Sequence, residues 1–205
     1  SSGATLDSSV VFPVSGAIHT VSSATIASVS WGAITPTGGT FAPATDTTVF
    51  KGTLTVNNRA VWLRSIQFEN RGSTNDADFQ NVKLYVKGVQ VGSSMSLSGD
   101  KVVFDLTGSP VTLNTGGSEI RVVADVVGGS GETFDFQIRR GIDIMLVDSE
   151  LNQPLAPSAP TAVTANTVEG VSLSVVKANT SPTSNVAVAS TNVLWGKFEA
   201  RAAGD

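Results

Sequence analysis

The sequence predicts an all-β protein, an antiparallel β-sandwich with a second, smaller β-unit built from the terminal segments. Three observations carry this. Apolar and polar residues alternate: Ile120, Val122, Ala124 and Val126 fall on one side of a run whose other side holds Arg121, Val123, Asp125 and Val127, and successive strand side chains point to opposite faces. Phe134, Phe136 and Ile138 repeat the pattern, as do Val82, Leu84 and Val86, and Ile142, Ile144 and Leu146. The runs are rich in Val, Thr, Ile and Phe and are punctuated by Gly, Asn, Asp, Ser and Pro, which is the composition of strands joined by tight turns. Finally, no window of helical length carries an i, i+3, i+4 stripe with caps.

In chain order, residues 1–45 form an N-terminal β-segment and linker, with Pro36, Gly38, Gly39 and Pro43 clustered in 34–46. The central unit, 46–157, holds strands at 49–56, 61–69, 79–91, 101–106, 119–127, 132–139 and 142–147, with 111–113 as a short extra. Lys87-Gly88 and Ser98-Gly99-Asp100 read as hairpin turns. About seven strands spaced by roughly 8–12 residues suggest an antiparallel sandwich of immunoglobulin-like size, with an open barrel as the alternative. A sheet with one apolar face needs a second layer, which favours the sandwich. Pro154, Pro157 and Pro160 at triplet spacing bias 152–166 toward an extended spacer. Residues 158–205 form the C-terminal β-segment.

The two ends repeat each other. Leu6-Asp7-Ser8 followed by Pro13-Val14 matches Val147-Asp148-Ser149 followed by Pro154-Leu155. Ile26 to Val29 matches Leu173 to Val176, and Thr47, Val49-Phe50, Gly52, Leu54 and Val56 match Thr191, Val193-Leu194, Gly196, Phe198 and Ala200. The spacing implies a module of about 145 residues, cut out of phase with its own repeat. A chain rich in Val, Ser, Thr and Ala also aligns with itself by composition alone. A lone strand at 191–200 cannot satisfy its backbone or bury Leu194, Trp195 and Phe198 by itself. Burying three such side chains is worth about 5–8 kcal/mol gross. Pairing of the ends with each other or with a neighbouring copy is therefore expected, through Val193, Leu194, Trp195 and Phe198 at one end and Leu6, Val10, Val11 and Phe12 at the other.

Chemistry is scarce. With no cysteine the 205-residue chain has neither disulfides nor thiolate metal ligands, and with one histidine it has no two-imidazole site. His19 has no nucleophile motif around it, so no enzyme and no catalytic residue are expected. A net charge of −4 disfavours nucleic acid and anionic membrane as partners, and no apolar run is long enough for membrane insertion. Asn75, Asp76 and Asp78 are a candidate Ca²⁺ site in the loop 70–78, without EF-hand spacing; no other cofactor is expected. Trp31, Trp62, Trp195 and Tyr85 are the side chains able to stack on sugar faces, with packing as their plainer role. Asn179-Thr180-Ser181 is an N-glycosylation sequon, followed by Pro182. Asp7 and Asp148, each before a Ser, are placed to make Asx turns after a strand.

The stretch Asn81-Val82-Lys83-Leu84-Tyr85-Val86, with Val103-Phe104-Asp105-Leu106, Glu119-Ile120-Arg121-Val122-Val123-Ala124-Asp125-Val126 and Thr133-Phe134-Asp135-Phe136, resembles immunoglobulin-like β-sandwich modules. Such modules recur in repeat-rich prokaryotic cell-surface proteins of the S-layer or appendage type. The resemblance implies an extracellular, cell-surface location and a structural or adhesive role, and it transfers no functional residue. The expected function is a structural subunit or module of an extracellular filament, stalk or surface layer. Its partners are other copies of itself or neighbouring modules of the same protein, met by edge-strand pairing or exchange of terminal β-segments. The alternative is an adhesin or carbohydrate-binding module with a glycan as partner.

Overall fold

A computed structural model describes residues 25–170 and 172–203. The strands run β1 (Ser28–Thr35), β2 (Thr40–Phe41), β3 (Thr47–Asn57), β4 (Val61–Asn70), β5 (Phe79–Val86), β6 (Val89–Met95), β7 (Lys101–Asp105) and β8 (Val111–Leu113). They continue as β9 (Gly116–Val126), β10 (Thr133–Phe134), β11 (Phe136–Gln137), β12 (Ile144–Asp148), β13 (Pro154–Leu155), β14 (Asn166–Val168), β15 (Ser172–Lys177) and β16 (Phe198–Ala203). The protein is all-β, and its sheets are antiparallel apart from one pairing of β14 with β2.

Alternation decides what is buried. On β9, Ile120, Val122, Ala124 and Val126 are buried and Arg121 and Asp125 are half-buried, but Val123, expected on the exposed side, is buried too; on β5, Val82, Leu84 and Val86 are buried between Lys83 and Tyr85. These faces belong to a five-stranded sheet in the order β1-β3-β9-β5-β6. The second large sheet is organised by β4, whose Ile66 lies between Phe104 of β7 and Ile144 of β12, and whose Leu63 lies between Val111 of β8 and Leu146 of β12. Both apolar faces feed one core. Phe50 of β3 meets Phe68 of β4 edge-on at 4.8 Å, with Trp31 at 6.1 Å beyond Phe50 and Phe104 at 6.4 Å beyond Phe68. A second row of rings, Phe136, Phe79, Phe134 and Phe41, joins the large sheets to a small one of order β10-β14-β2.

The tight turns follow backbone chemistry. Lys87 and Gly88, and Gly99 and Asp100, all have positive φ, which two-residue hairpins of matching twist require. Asn70, at the end of β4, is one of the buried polar residues, 4% exposed. Its Oδ1 accepts the amides of Asp135 and Gly72 at 3.0 and 3.2 Å, and its Nδ2 donates to Thr74 Oγ1 at 2.9 Å. Gly72 is required there because a Cβ would lie 1.9 Å from the Thr133 carbonyl oxygen.

Several expectations need correction. The strand expected at 132–139 is two, β10 and β11, because the chain changes sheet at Asp135. The run at 79–91 continues past its turn to Met95 as β5 and β6. Ile142, expected on the buried face of a strand, is 80% exposed because Gly141–Asp143 is a 3₁₀ turn that precedes the strand. The proline-bearing stretch 152–166 lies along the body instead of bridging away from it: Leu155 pairs with Leu146, and Leu155 and Val163 pack on the core. Their apolar side chains give the segment more to gain from burial than from extension.

Candidate assembly surface

The entrance to the body is fastened by a buried carboxylate. Asp148 Oδ1 accepts the amides of Glu150 and Leu151, both at 2.9 Å, which makes the Asx-type turn its sequence position suggested. Its Oδ2 accepts the amide of Ala27, also at 2.9 Å. These hydrogen bonds, Leu151's first, hold the Asp148 carboxyl below the usual carboxylate range. Beside it, Arg59 Nε donates to the Thr25 carbonyl, Asn58 Nδ2 donates to the Ile26 carbonyl, and Arg59 pairs with Glu150. From there β1 joins the five-stranded sheet through β3, while β2 runs parallel to β14 with Thr40 opposite Thr167 and Phe41 opposite Val168.

The other end is built differently. β15 and β16 form a two-stranded sheet of their own, with Leu173 opposite Ala202, Val175 opposite Ala200 and Lys177 opposite Phe198. The strand expected at 191–200 is displaced to Phe198–Ala203. Residues 191–197 are held out of it by turns, with Asn192 at positive φ, and the Lys197 amide donates to Ser181 Oγ at 3.0 Å. Ala178 donates its amide to the Lys197 carbonyl and closes the hairpin.

The hairpin leaves its apolar side chains in solvent. Leu173, Val175 and Phe198 are 70%, 59% and 71% exposed, and Leu194 and Trp195 are 50% and 83% exposed. Val193 is half-buried. The body, by contrast, buries Phe50, Phe68, Phe79, Phe134 and Phe136 almost completely. Contiguous apolar patches larger than a few hundred Å² are rare on monomeric proteins, so exposure of this kind makes the hairpin and its loop the candidate assembly surface. Leu173 and Val175 were not singled out from the sequence as assembly residues. The signal was present in their match to the Ile26 to Val29 stretch and in their alternation with Ser174. Leu6, Val10, Val11 and Phe12, and His19, lie outside the described residues.

The remaining candidates fall into separate places. Asp76 accepts the amides of Gly99 and Asp100 at 2.7 and 2.9 Å, and Asp78 accepts the Asn75 amide at 2.7 Å. Asp76 braces the loop against the 98–101 turn, and Asp78 closes the loop on itself. Among the described residues no group of three or more His, Cys, Asp and Glu side chains is disposed around a metal position. Trp31 packs edge-on against Phe50, Arg64 lies 5.7 Å over the Trp62 ring and Arg121 lies 4.8 Å over Tyr85. Trp195 alone among the four presents an exposed ring, beside Pro182, Asn185 and Val186. Asn179 is exposed at the end of β15, while the Ser181 of its sequon is buried. No described helix is long and apolar enough to cross a membrane. In comparisons with known proteins the chain matches no family model, no curated protein and no solved structure.

Proposed function

We propose that this chain is a structural subunit or module of an extracellular filament, stalk or surface layer, and that it assembles through its terminal β-segments. On this reading 46–157 is an immunoglobulin-like sandwich of repeat-rich cell-surface type. Residues 1–45 and 158–205 supply the smaller β-unit and the contacts to other copies or to neighbouring modules. The role calls for no catalytic residue and no cofactor. One observation carries the proposal: a formed hairpin and its loop hold Leu173, Val175, Leu194, Trp195 and Phe198 in water, beside a body that buries Phe50, Phe68, Phe79, Phe134 and Phe136. An isolated two-stranded hairpin is marginal in water, and exposed strand edges invite pairing.

The test replaces Leu194, Trp195 and Phe198 by Ser in the full chain and follows assembly by light scattering and electron microscopy. Fibres or a lattice from the parent chain, lost on substitution with the body still folded, support the proposal. Assembly that is indifferent to the three changes refutes it. The exposed Trp195 ring beside Ser184 and Asn185 favours a second reading, an adhesin with a glycan partner. A saturable change of tryptophan fluorescence with sugars, abolished by Trp195→Ala and accompanied by no assembly, would select it.

A further inference from the structure

The terminal hairpin is laid out like the start of the body. In the body, β1 and β3 pair Val29 with Val56 and Trp31 with Leu54. In the hairpin, Val175 pairs with Ala200 and Lys177 with Phe198. Phe198 and Ala200 thus hold the positions of Leu54 and Val56 that the sequence repeat gives them, and β15 is slipped by one residue from that alignment, which matched Val29 with Val176. The slip matters, because it puts Leu173, Val175, Phe198, Ala200 and Ala202 on one face. In the body the far edge of β3 is covered by β9, with Leu54 opposite Ser118 and Val56 opposite Gly116. Among the described residues no strand lies along the corresponding edge of β16.

The sequence of that edge says which strand fits it. Read antiparallel against itself about Ala200, Phe198-Glu199-Ala200-Arg201-Ala202 is self-complementary. Glu199 then faces the Arg201 of a second copy, Phe198 faces its Ala202, and Ala200 faces its Ala200. Opposite charges directly across a ladder stabilise it and like charges weaken it. Glu199 and Arg201 already pair along the strand at 2.9 Å, so the two copies would join their charges in one network of alternating sign. Sliding the register one pairing step in either direction places Glu199 against Glu199 or Arg201 against Arg201. β1 and β6, the two outer strands of the five-stranded sheet, carry no charged residue to meet them.

We infer that the free edge of β16 is a docking site for a second copy of this chain, whose β16 adds antiparallel about a two-fold axis at Ala200. The resulting four-stranded sheet doubles the apolar face of the hairpin and lifts it above the two-strand limit of stability. The inference rests on the proposed role of the hairpin in assembly and names its partner and register.

Charge reversal in the full chain tests it by sedimentation equilibrium. Glu199→Arg and Arg201→Glu each place two like-charged pairs across the interface, and each raises the dimer dissociation constant about tenfold. An equimolar mixture of the two variants restores association, and so does the chain carrying both changes. Rescue by mixing also shows that each variant is folded. Single variants that associate like the parent, or a mixture that stays dissociated, overturn the inference. If that happens while the serine substitutions at Leu194, Trp195 and Phe198 still abolish assembly, the hairpin's role stands and only this docking fails. A parent chain that remains monomeric at every concentration overturns both.

Discussion

Phe50 and Phe68 give a quantitative test of whether the two large sheets share one core. Each ring is almost fully buried and each has two aromatic neighbours: Trp31 and Phe68 for Phe50, Phe50 and Phe104 for Phe68. Replacement by Ala would cost about 3–5 kcal/mol at either site, enough with both to exhaust the stability of a typical domain. Leu is the better probe. Phe50→Leu or Phe68→Leu keeps most of the volume and costs about 2–3 kcal/mol, from imperfect packing and the loss of edge-on contacts worth about 0.5–1.5 kcal/mol each. The 4.8 Å contact is removed by either change alone. The double variant is therefore less unstable than the sum of the singles by about 1 kcal/mol. Urea unfolding of the four proteins, followed by tryptophan fluorescence with a common m value, measures the coupling. Additivity within about 0.3 kcal/mol would mean that the rings do not touch, and the single core would be refuted.

Five further outcomes are expected. Asn70→Ala leaves the buried amide of Asp135 and the half-buried amide of Gly72 unpaired and costs about 2–4 kcal/mol in the same unfolding assay. Gly72→Ala drives a methyl group into the Thr133 carbonyl and lowers stability by about 3 kcal/mol or more, whereas Phe198→Ala, at a position 71% exposed, changes the monomer by less than about 0.5 kcal/mol. Asp148, held below the ordinary carboxylate value of 3.8, contributes stability that is complete above that value and is lost as pH falls through its depressed pKa. Asp148→Asn therefore flattens the acid limb of a plot of melting temperature against pH. Asp135 runs the other way: burial raises its pKa, against the opposing effects of Gln137 and Arg71, so stability declines as pH rises from 3.8 through the raised value. Asp135→Asn removes that decline, and a variant no more stable than the parent at neutral pH would contradict it.

The elements were legible where side chains are the whole signal. β9 could be read from Ile120, Val122, Ala124 and Val126 because they fall on one face of a strand with a period of two, although Val123 on the other face is buried as well. Pairing was not legible. Nothing in Val61–Asn70 announces that β4 takes partners from β7 and β8 on one edge and β11 and β12 on the other. Nor does Asn166–Val168 announce a parallel neighbour 127 residues earlier, since register is set by partners distant in sequence. Ile142 misled because an apolar residue in step with a strand is indistinguishable from one in the turn before it. At the candidate surface, Leu194, Trp195 and Phe198 stood out as apolar residues in need of cover. Their exposure and the shift of the strand to Phe198–Ala203 depend on how Ser181 and Ala178 hold Lys197, a local choice that composition cannot express.

The fastening of Ala27 to Asp148 has a mechanical meaning. Tension arriving through the chain before Thr25 meets Arg59, Asn58 and Asp148 before it reaches the first rung of the β1–β3 ladder at Ser28. Asp148 ends a strand of the other large sheet, so the load divides between the two sheets instead of unzipping one edge strand rung by rung. A body strung in series with others would yield at that clasp first.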